Sequence, residues 1–165
     1  MTRRFEYQLD LKEVKINIRN TDEIMWRIPS PDDKQILADH MLDAYRNTID
    51  YDGETIDDAM NEVESYFSGR TGPAWLESSW LAFEEKQLVC AALVSFWNDR
   101  KVPLFAYVMT AAAAKGKHIA VAAVSRSLES LIEQGHAEVR AVITDGNIPS
   151  EKVFTKLGFV RLTSI

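Results

Sequence analysis

The sequence predicts an α/β (α+β) fold, one mixed central β-sheet flanked by helices on both faces. Three observations carry this. Apolar residues recur with a period of two in some segments and at three and four residues in others. The two kinds of segment interleave along the chain instead of separating. Capping and turn residues stand between them. With 165 residues, 46% apolar and 27% charged, the chain has the size and composition of one globular domain. No repeat, low-complexity linker or compositional shift divides residues 1–165.

Phe5, Tyr7, Leu9 and Leu11, then Val14, Ile16 and Ile18, alternate with polar neighbours, which predicts an N-terminal strand or hairpin extension within residues 1–20. Ile24 to Ile28 reads as a further short strand. Ser30-Pro31-Asp32-Asp33 is a helix start, with a capping hydroxyl, proline in the first turn and carboxylates where the helix dipole favours them. That helix is expected to run to about Asn47, burying Ile36, Leu37, His40, Met41, Ala44 and Tyr45. Thr55 and Asp58 form a capping-box pattern for a second helix, with Met60, Val63 and Phe67 on its apolar face and Gly69 as its stop. Trp80 to Phe83, Leu88 to Phe96 and Leu104 to Val108 read as three strands, the first two a hairpin. Gly116 is expected to open a helix that ends at Gly135. Val139 to Thr144 is a strand, Asn147 caps a short helix, and Gly158 ends it before a last strand begins at Phe159.

The net charge of −6, without a basic stripe, opposes binding to nucleic acid or anionic lipid. The longest mostly apolar window, Val102 to Ala114, is too short to span a membrane, and the N-terminus lacks the apolar run of a signal peptide. The only cysteine, Cys90, lies in an apolar run, which excludes an internal disulfide and fits a reducing, cytoplasmic compartment. A packed thiol is the reading preferred over a nucleophile. His40, His118 and His136 show no ligand spacing, so no metal is expected. Trp26, Trp75, Trp80 and Trp97 are read as core or cleft-wall residues. Acidity is concentrated: no basic residue lies between Arg46 and Arg70, while Asp50, Asp52, Glu54, Asp57, Asp58, Glu62 and Glu64 supply seven negative charges.

The chemically informative segment is Val108 to Ala120, where a strand leads through a short loop into a helix. The first turn of a helix has unpartnered N–H groups and the positive end of the macrodipole, so it suits an anion. Lys115 and Lys117 add charge, Gly116 permits close backbone approach, and Ala120 is small enough to let a ligand lie against the helix. Neither a Walker loop nor a dinucleotide fingerprint is present, since the glycines and hydroxyl those motifs need are absent.

Lys115-Gly116-Lys117-His118-Ile119-Ala120, followed after one helix and one strand by Asn147-Ile148-Pro149-Ser150 and then Phe154 to Phe159, resembles the GNAT superfamily of N-acetyltransferases. That family shows Arg/Gln-x-x-Gly-x-Gly/Ala, then Asn-x-x-Ala-x-x-x-Tyr-x-x-x-Gly-Phe. The resemblance implies a GNAT-like sheet and an acyl-coenzyme A, normally acetyl-CoA, held at Gly116 to Ala120 (Gly116, Lys117, His118, Ile119, Ala120), with Lys115 at the Arg/Gln position. It also implies that Val108, Met109 and Thr110 lie on a splayed strand along the pantetheine arm, with the amide of Met109 or Thr110 facing the thioester oxygen. Asn147 matches an asparagine that contacts the coenzyme arm, and it equally suits a helix cap.

Three positions depart from the family pattern. His118 replaces glycine, Lys115 replaces Arg or Gln, and Phe154 occupies the place of a tyrosine that protonates the departing thiolate. Ser150, Tyr107 or a water are the candidates to replace that acid. The implied activity is acyl transfer to a primary amine by direct attack, with Asp50, Asp52, Glu54 and Asp145 as candidate bases. The alternative is a non-catalytic acyl-CoA-binding or sensing protein of the same fold. The acceptor is a small molecule or an amino group of a larger substrate, cationic if the acidic stretch walls its site, and the reading leaves room for a homodimer.

Overall fold

A computed structural model describes residues 3–16 and 21–162. Its strands are β1 (Arg4–Asp10), β2 (Met25–Arg27), β3 (Trp80–Glu84), β4 (Gln87–Trp97), β5 (Val102–Thr110), β6 (Glu138–Thr144) and β7 (Val160–Arg161). Its helices are α1 (Lys34–Tyr45), α2 (Ile56–Ser68), α3 (Ile119–Glu133) and α4 (Ile148–Lys156), with short 3-10 turns at Pro31–Asp33, Leu76–Ser78 and Ala112–Ala114. The strands form one sheet in the order β2-β3-β4-β5-β6-β1-β7. Neighbours are antiparallel except β5 and β6, which run parallel and are joined through α3.

The helix starts form as their sequences dictate. The Ser30 hydroxyl accepts from Asp32 N while Asp33 closes a capping box, and Asp33 takes a bidentate pair from Arg27 at 2.7 and 2.8 Å. Thr55 and Asp58 form the second capping box, and Gly69 ends α2 in the left-handed conformation (φ 76°). The Asn147 side chain accepts from Ser150 N at 3.3 Å and so caps α4.

β4 is the centre of the sheet. Its residues alternate between two cores: Cys90, Ala92 and Val94 face α3 together with β1, β6, Phe154 and Leu157, whereas Ala91 and Leu93 face α1 and α2 with Leu37, Met41, Val63 and Tyr66. Both faces are therefore covered, and residues 89–95 are buried throughout. The Tyr66 hydroxyl, itself buried, donates to Val94 O at 2.6 Å and meets Ser79 Oγ at 3.1 Å, tying α2 to the sheet.

Several expectations need correction. Val14 and Ile16 form no second strand, and Ile18 lies outside the described residues. The reason is that both edges of β1 are taken, one by β6 and one by β7, so no edge is left for a hairpin partner. Instead Leu11 N donates to Ala137 O and Lys15 N to Leu157 O. Helix α1 stops at Tyr45, two residues early, because Asn47 turns left-handed (φ 66°). Ile36 is exposed, and Tyr45 is only half-buried because it faces a cavity.

Removing the Tyr66 hydroxyl deletes its two buried hydrogen bonds, to Val94 O and Ser79 Oγ, while both partners keep other bonds; the loss typically costs about 1–2 kcal/mol. Tyr66→Phe is expected to lower the melting temperature by roughly 3–6 °C; a thermal melt that is unchanged would show that the hydroxyl carries none of the docking of α2.

Candidate active site

The site is built where β5 and β6 part. They pair at only two positions, Leu104 with Arg140 and Phe105 with Ala141. One residue further on, Ala106 is the extra residue of a β-bulge, because Leu93 faces Tyr107 while Val94 faces Phe105. A bulge bends and twists its strand, and here it coincides with the point where β5 leaves β6. The C-terminal half of β5 consequently has β4 on one side and an open cleft on the other.

The phase of the β4–β5 ladder decides which backbone groups face that cleft. Ala111 N donates to Val89 O at 2.9 Å, and antiparallel partners alternate between hydrogen-bonded and non-hydrogen-bonded pairs. Met109 and Tyr107 share the phase of Ala111, so their backbone groups point toward Ala91 and Leu93. Val108 and Thr110 have the opposite phase and present their N–H and C=O to the cleft. Of the two amides expected to face a thioester, that of Thr110 is therefore at the open edge and that of Met109 is not. The Met109 side chain is buried at 1% exposure.

Met109 is also held from behind. His40 Nε2 lies 2.8 Å from Met109 O, and since a carbonyl only accepts, that nitrogen carries the proton. Burial depresses the His40 pKa, opposed by its bonds to the backbone of Met109 and Leu88 and by Asp43. The ring is thus neutral and acts as a brace.

Two cavities open along the splayed strand. The smaller, about 430 Å³, is lined by Val108, Met109, Thr110, Lys115, Ala120, Asn147 and Phe154 among others. The larger, about 700 Å³, lies toward α1 and α2 and is walled by Asp50, Glu54, Asp58 and Glu62, with Arg4 as a counter-charge. Tyr45, Asp50, Val108, Asn147, Ser150 and Phe154 line both, so the cavities meet there. Asp52, Asp57, Glu64 and Asp145 line neither.

The loop before α3 has the conformation an anion site needs, but not as a continuous helix from Gly116. Gly116 (φ 83°) and His118 (φ 63°) are both left-handed, and α3 begins at Ile119. His118 therefore stands at a position where glycine is the unstrained choice, and histidine tolerates it better than a branched residue. Its side chain makes no cap hydrogen bond, and Gly116, Lys117 and His118 are exposed, whereas Ile119 is buried. Lys115 is engaged otherwise: its Nζ donates to Ala44 O at 2.9 Å and caps the C-terminus of α1, while Ala112 N donates to Asp43 Oδ2.

Phe154 is 5% exposed and packs edge to face against Phe105 and Phe159, with ring centroids 5.7 and 5.0 Å away. It is a wall with no proton to give. Asn147 does two jobs at once, capping α4 through Oδ1 and donating through Nδ2 to Asp50 Oδ2 at 3.0 Å. In the larger cavity the Tyr107 hydroxyl donates to Glu62 Oε2. Burial, then Glu62, raises the Tyr107 pKa, and burial, then Asp50 and Glu62, raises that of Tyr45; both phenols stay protonated. Burial pushes Cys90 up to about 12, which leaves it an inert thiol. Among the described residues, no group of three or more His, Cys, Asp or Glu is placed to hold a metal ion, and no helix is long and apolar enough to cross a membrane.

Sequence reasoning missed His40 as the brace of Met109, and Tyr45 and Ser95 as cavity-lining residues. His40 and Tyr45 fell on a helical stripe that core packing already explained, and nothing local distinguishes Ser95.

Residues 2–160 match the family described as Acetyltransferase (GNAT) domain. The chain belongs to the GNAT family of N-acetyltransferases. No curated protein matches it in sequence. Among solved structures, it is similar to a GCN5-related N-acetyltransferase from Sphaerobacter thermophilus, with a TM-score of 0.74 and 14% identity, over 98% of this chain and 50% of that one. The chain thus spans about half the length of that protein. It is also similar to AAC(6')-Iy in complex with a bisubstrate analogue, CoA-S-monomethyl-acetylneamine (TM-score 0.66, 13% identity, 86% of this chain and 94% of that). A third similar structure is the diaminobutyrate acetyltransferase EctA from Paenibacillus lautus, bound to L-2,4-diaminobutyric acid and coenzyme A (TM-score 0.61, 15% identity, 81% and 74%). At these identities the likeness is one of fold.

The His40 brace makes stability pH-dependent in a definite direction. A histidine whose native pKa is depressed binds fewer protons folded than unfolded, so its contribution is complete above the unfolded value of about 6.5 and is lost as pH falls below it toward the native value. Melting curves at pH 7.5 and pH 5 are expected to show a larger acid loss for the wild type than for His40→Gln; equal losses would show that the ring is not held neutral.

Proposed function

We propose that the protein transfers acetyl from acetyl-CoA to a primary amine of a cationic acceptor. The observation that supports this most is the meeting of two cavities at Val108, Asn147, Ser150 and Phe154, one along the open edge of β5 and the other walled by four carboxylates. The coenzyme would lie along Val108 to Thr110, its diphosphate at the amides of Gly116 to Ala120 with Lys115 and Lys117 near. To reach a phosphate, Lys115 would exchange its contact with Ala44 O.

In this reading the Thr110 or Val108 amide polarises the thioester carbonyl, and a donor aimed at the developing oxyanion is worth about 3 kcal/mol. The acceptor enters as an ammonium drawn by the carboxylate wall. Asp50, at the junction, takes its proton directly or through water, and the free amine attacks the carbonyl carbon. The tetrahedral intermediate collapses, the C–S bond breaks, and the attacking nitrogen gives up its second proton as the thiolate leaves. Thiols are tolerable leaving groups, and Ser150, which lines both cavities, would pass a proton to sulfur and recover one from that nitrogen, directly or through water, a relay Phe154 cannot supply. No covalent enzyme intermediate is needed, and catalysis rests on positioning and carbonyl polarisation.

Acetyl-CoA is expected to raise the melting temperature, since it binds only the folded chain; no shift at millimolar coenzyme would remove the basis of the proposal. With a panel of amines, free-thiol release is expected to favour cationic acceptors over neutral ones. Glu54→Gln and Glu62→Gln should each raise the acceptor KM about tenfold with little change in the KM for acetyl-CoA, and equal turnover of neutral and cationic amines would contradict the acidic wall as a selector. Ser150→Ala is expected to lower kcat about 100-fold; an unchanged kcat would take Ser150 out of the role of acid. A melting shift without thiol release from any amine would favour the sensing alternative, to which Phe154 already lends weight.

A further inference from the structure

The four carboxylates that wall the larger cavity are not held alike. Asp58 closes the Thr55 capping box, and Glu54 accepts from Asp52 N at 2.8 Å, so each is fixed by its own stretch of chain. Asp50 and Glu62 are held from across the fold instead, Asp50 by Asn147 Nδ2 and Glu62 by the Tyr107 hydroxyl, partners 97 and 45 residues away in sequence. Glu62 is an exposed residue of α2, yet its carboxylate is turned toward the sheet, where it meets the phenol on β5. The prop is itself rigid. Tyr107 pairs with Leu93 on β4, and its ring lies edge to face with Tyr66, the centroids 6.3 Å apart. Burial first and Glu62 second raise the Tyr107 pKa, so the proton of this pair stays on the phenol.

Tyr107 lines the larger cavity but not the one along the open edge of β5, and its proton is directed at Glu62. That placement suits a prop for Glu62 and not an acid for a departing thiolate. Tyr107 is the one side chain bonded to Glu62 among the described residues, and a carboxylate has about four acceptor sites, so capacity for a cation remains. Position along the cleft then separates two roles. Asp50 lines both cavities, whereas Glu62 lines only the larger. The nitrogen that attacks must be neutral at that moment, so a lasting ion pair at Glu62, away from the junction, suits a charge the acceptor keeps throughout.

We propose that Tyr107 is a positioning residue: its hydroxyl aims Glu62 at the larger cavity, and the pair forms the subsite for a second positive group of the acceptor, distinct from the nitrogen that is acetylated. The acceptor is then an amine with at least two positive charges. This rests on the acceptor site assigned above, and binding without turnover tests it separately.

The test measures, by calorimetry on the protein saturated with coenzyme A, the binding of linear α,ω-diamines of graded length and of n-alkyl monoamines with the same carbon numbers. Wild type, Tyr107→Phe, Glu62→Gln and the double variant are compared. One charge-assisted hydrogen bond predicts that the wild type binds the best-fitting diamine about 10-fold more tightly than its monoamine. Glu62→Gln should bring that ratio close to one. Tyr107→Phe keeps the carboxylate but releases its orientation, and should cut the ratio about 3- to 5-fold. In the Glu62→Gln background Tyr107→Phe should change it no further, because the phenol acts through the carboxylate. Each ratio is taken within one variant, so the fraction of active protein cancels. A merely structural Tyr107 would weaken both series alike and leave the ratio standing. The proposal is overturned if the wild type does not distinguish the two series, if Tyr107→Phe keeps the wild-type ratio, or if Tyr107→Phe lowers it equally with Gln at position 62. Thiol release from acetyl-CoA separates this from the enzymatic reading: equal release with monoamines and diamines removes the subsite and keeps the enzyme, whereas discriminating binding with no thiol from any amine does the reverse.

Discussion

The parallel contact between β5 and β6 ends after two residue pairs, and the cleft exists because it does. Had the ladder continued, the backbone groups of Val108 and Thr110 would be spent on β6 and no ligand could pair with them. The bulge at Ala106 makes this termination local and sharp, since it turns β5 at the last shared position. The same bulge keeps Tyr107 and Met109 in phase with β4, so one side of the strand stays rigid while the other is left open. Rigidity on one side and unused hydrogen-bonding capacity on the other are the two properties a backbone-lined cofactor site requires.

The open strand is braced from the helix layer. His40 reaches Met109 O across the α1 interface, Asp43 and Ala44 on the same helix hold the loop after β5 through Ala112 and Lys115, and Tyr66 on α2 ties to Val94 just beside the bulge. Helices α1 and α2 thus position the open strand and also wall the larger cavity. The acidic stretch is divided between these tasks and the solvent: Asp50, Glu54, Asp58 and Glu62 reach the cavity, while Asp52, Asp57 and Glu64 do not line it.

What could be read from the sequence was what depends on neighbours three or four residues apart. The capping boxes at Ser30 and Thr55, the Asn147 cap and the left-handed stop at Gly69 are local agreements between side chain and backbone, and all form as expected. The β3–β4 hairpin and the loop rich in lysine and glycine belong to the same class. The relations that escaped are long-range. His40 and Met109 are separated by 69 residues, and a histidine on a buried helical stripe gives no sign of which carbonyl it will find. The pattern of Val14 and Ile16 suggested a hairpin because alternation cannot reveal that β1 already has a strand on each side. The phase that turns Thr110 outward and Met109 inward follows from ladder register, which no single strand specifies.

The sole cysteine has a bearing on the chemistry next door. Cys90 lies directly opposite Thr110 in the ladder, its sulfur 3.7 Å from the Thr110 hydroxyl. A thioester laid along Thr110 would have a protein thiol for a neighbour, and transthioesterification would load the protein itself. That exchange needs a thiolate, and the apolar surroundings that push Cys90 to about 12 suppress it at neutral pH while close packing denies access. Burying the sulfur between strand and helix would thus insulate a thioester held at Thr110 from the one side chain chemically equivalent to its own leaving group.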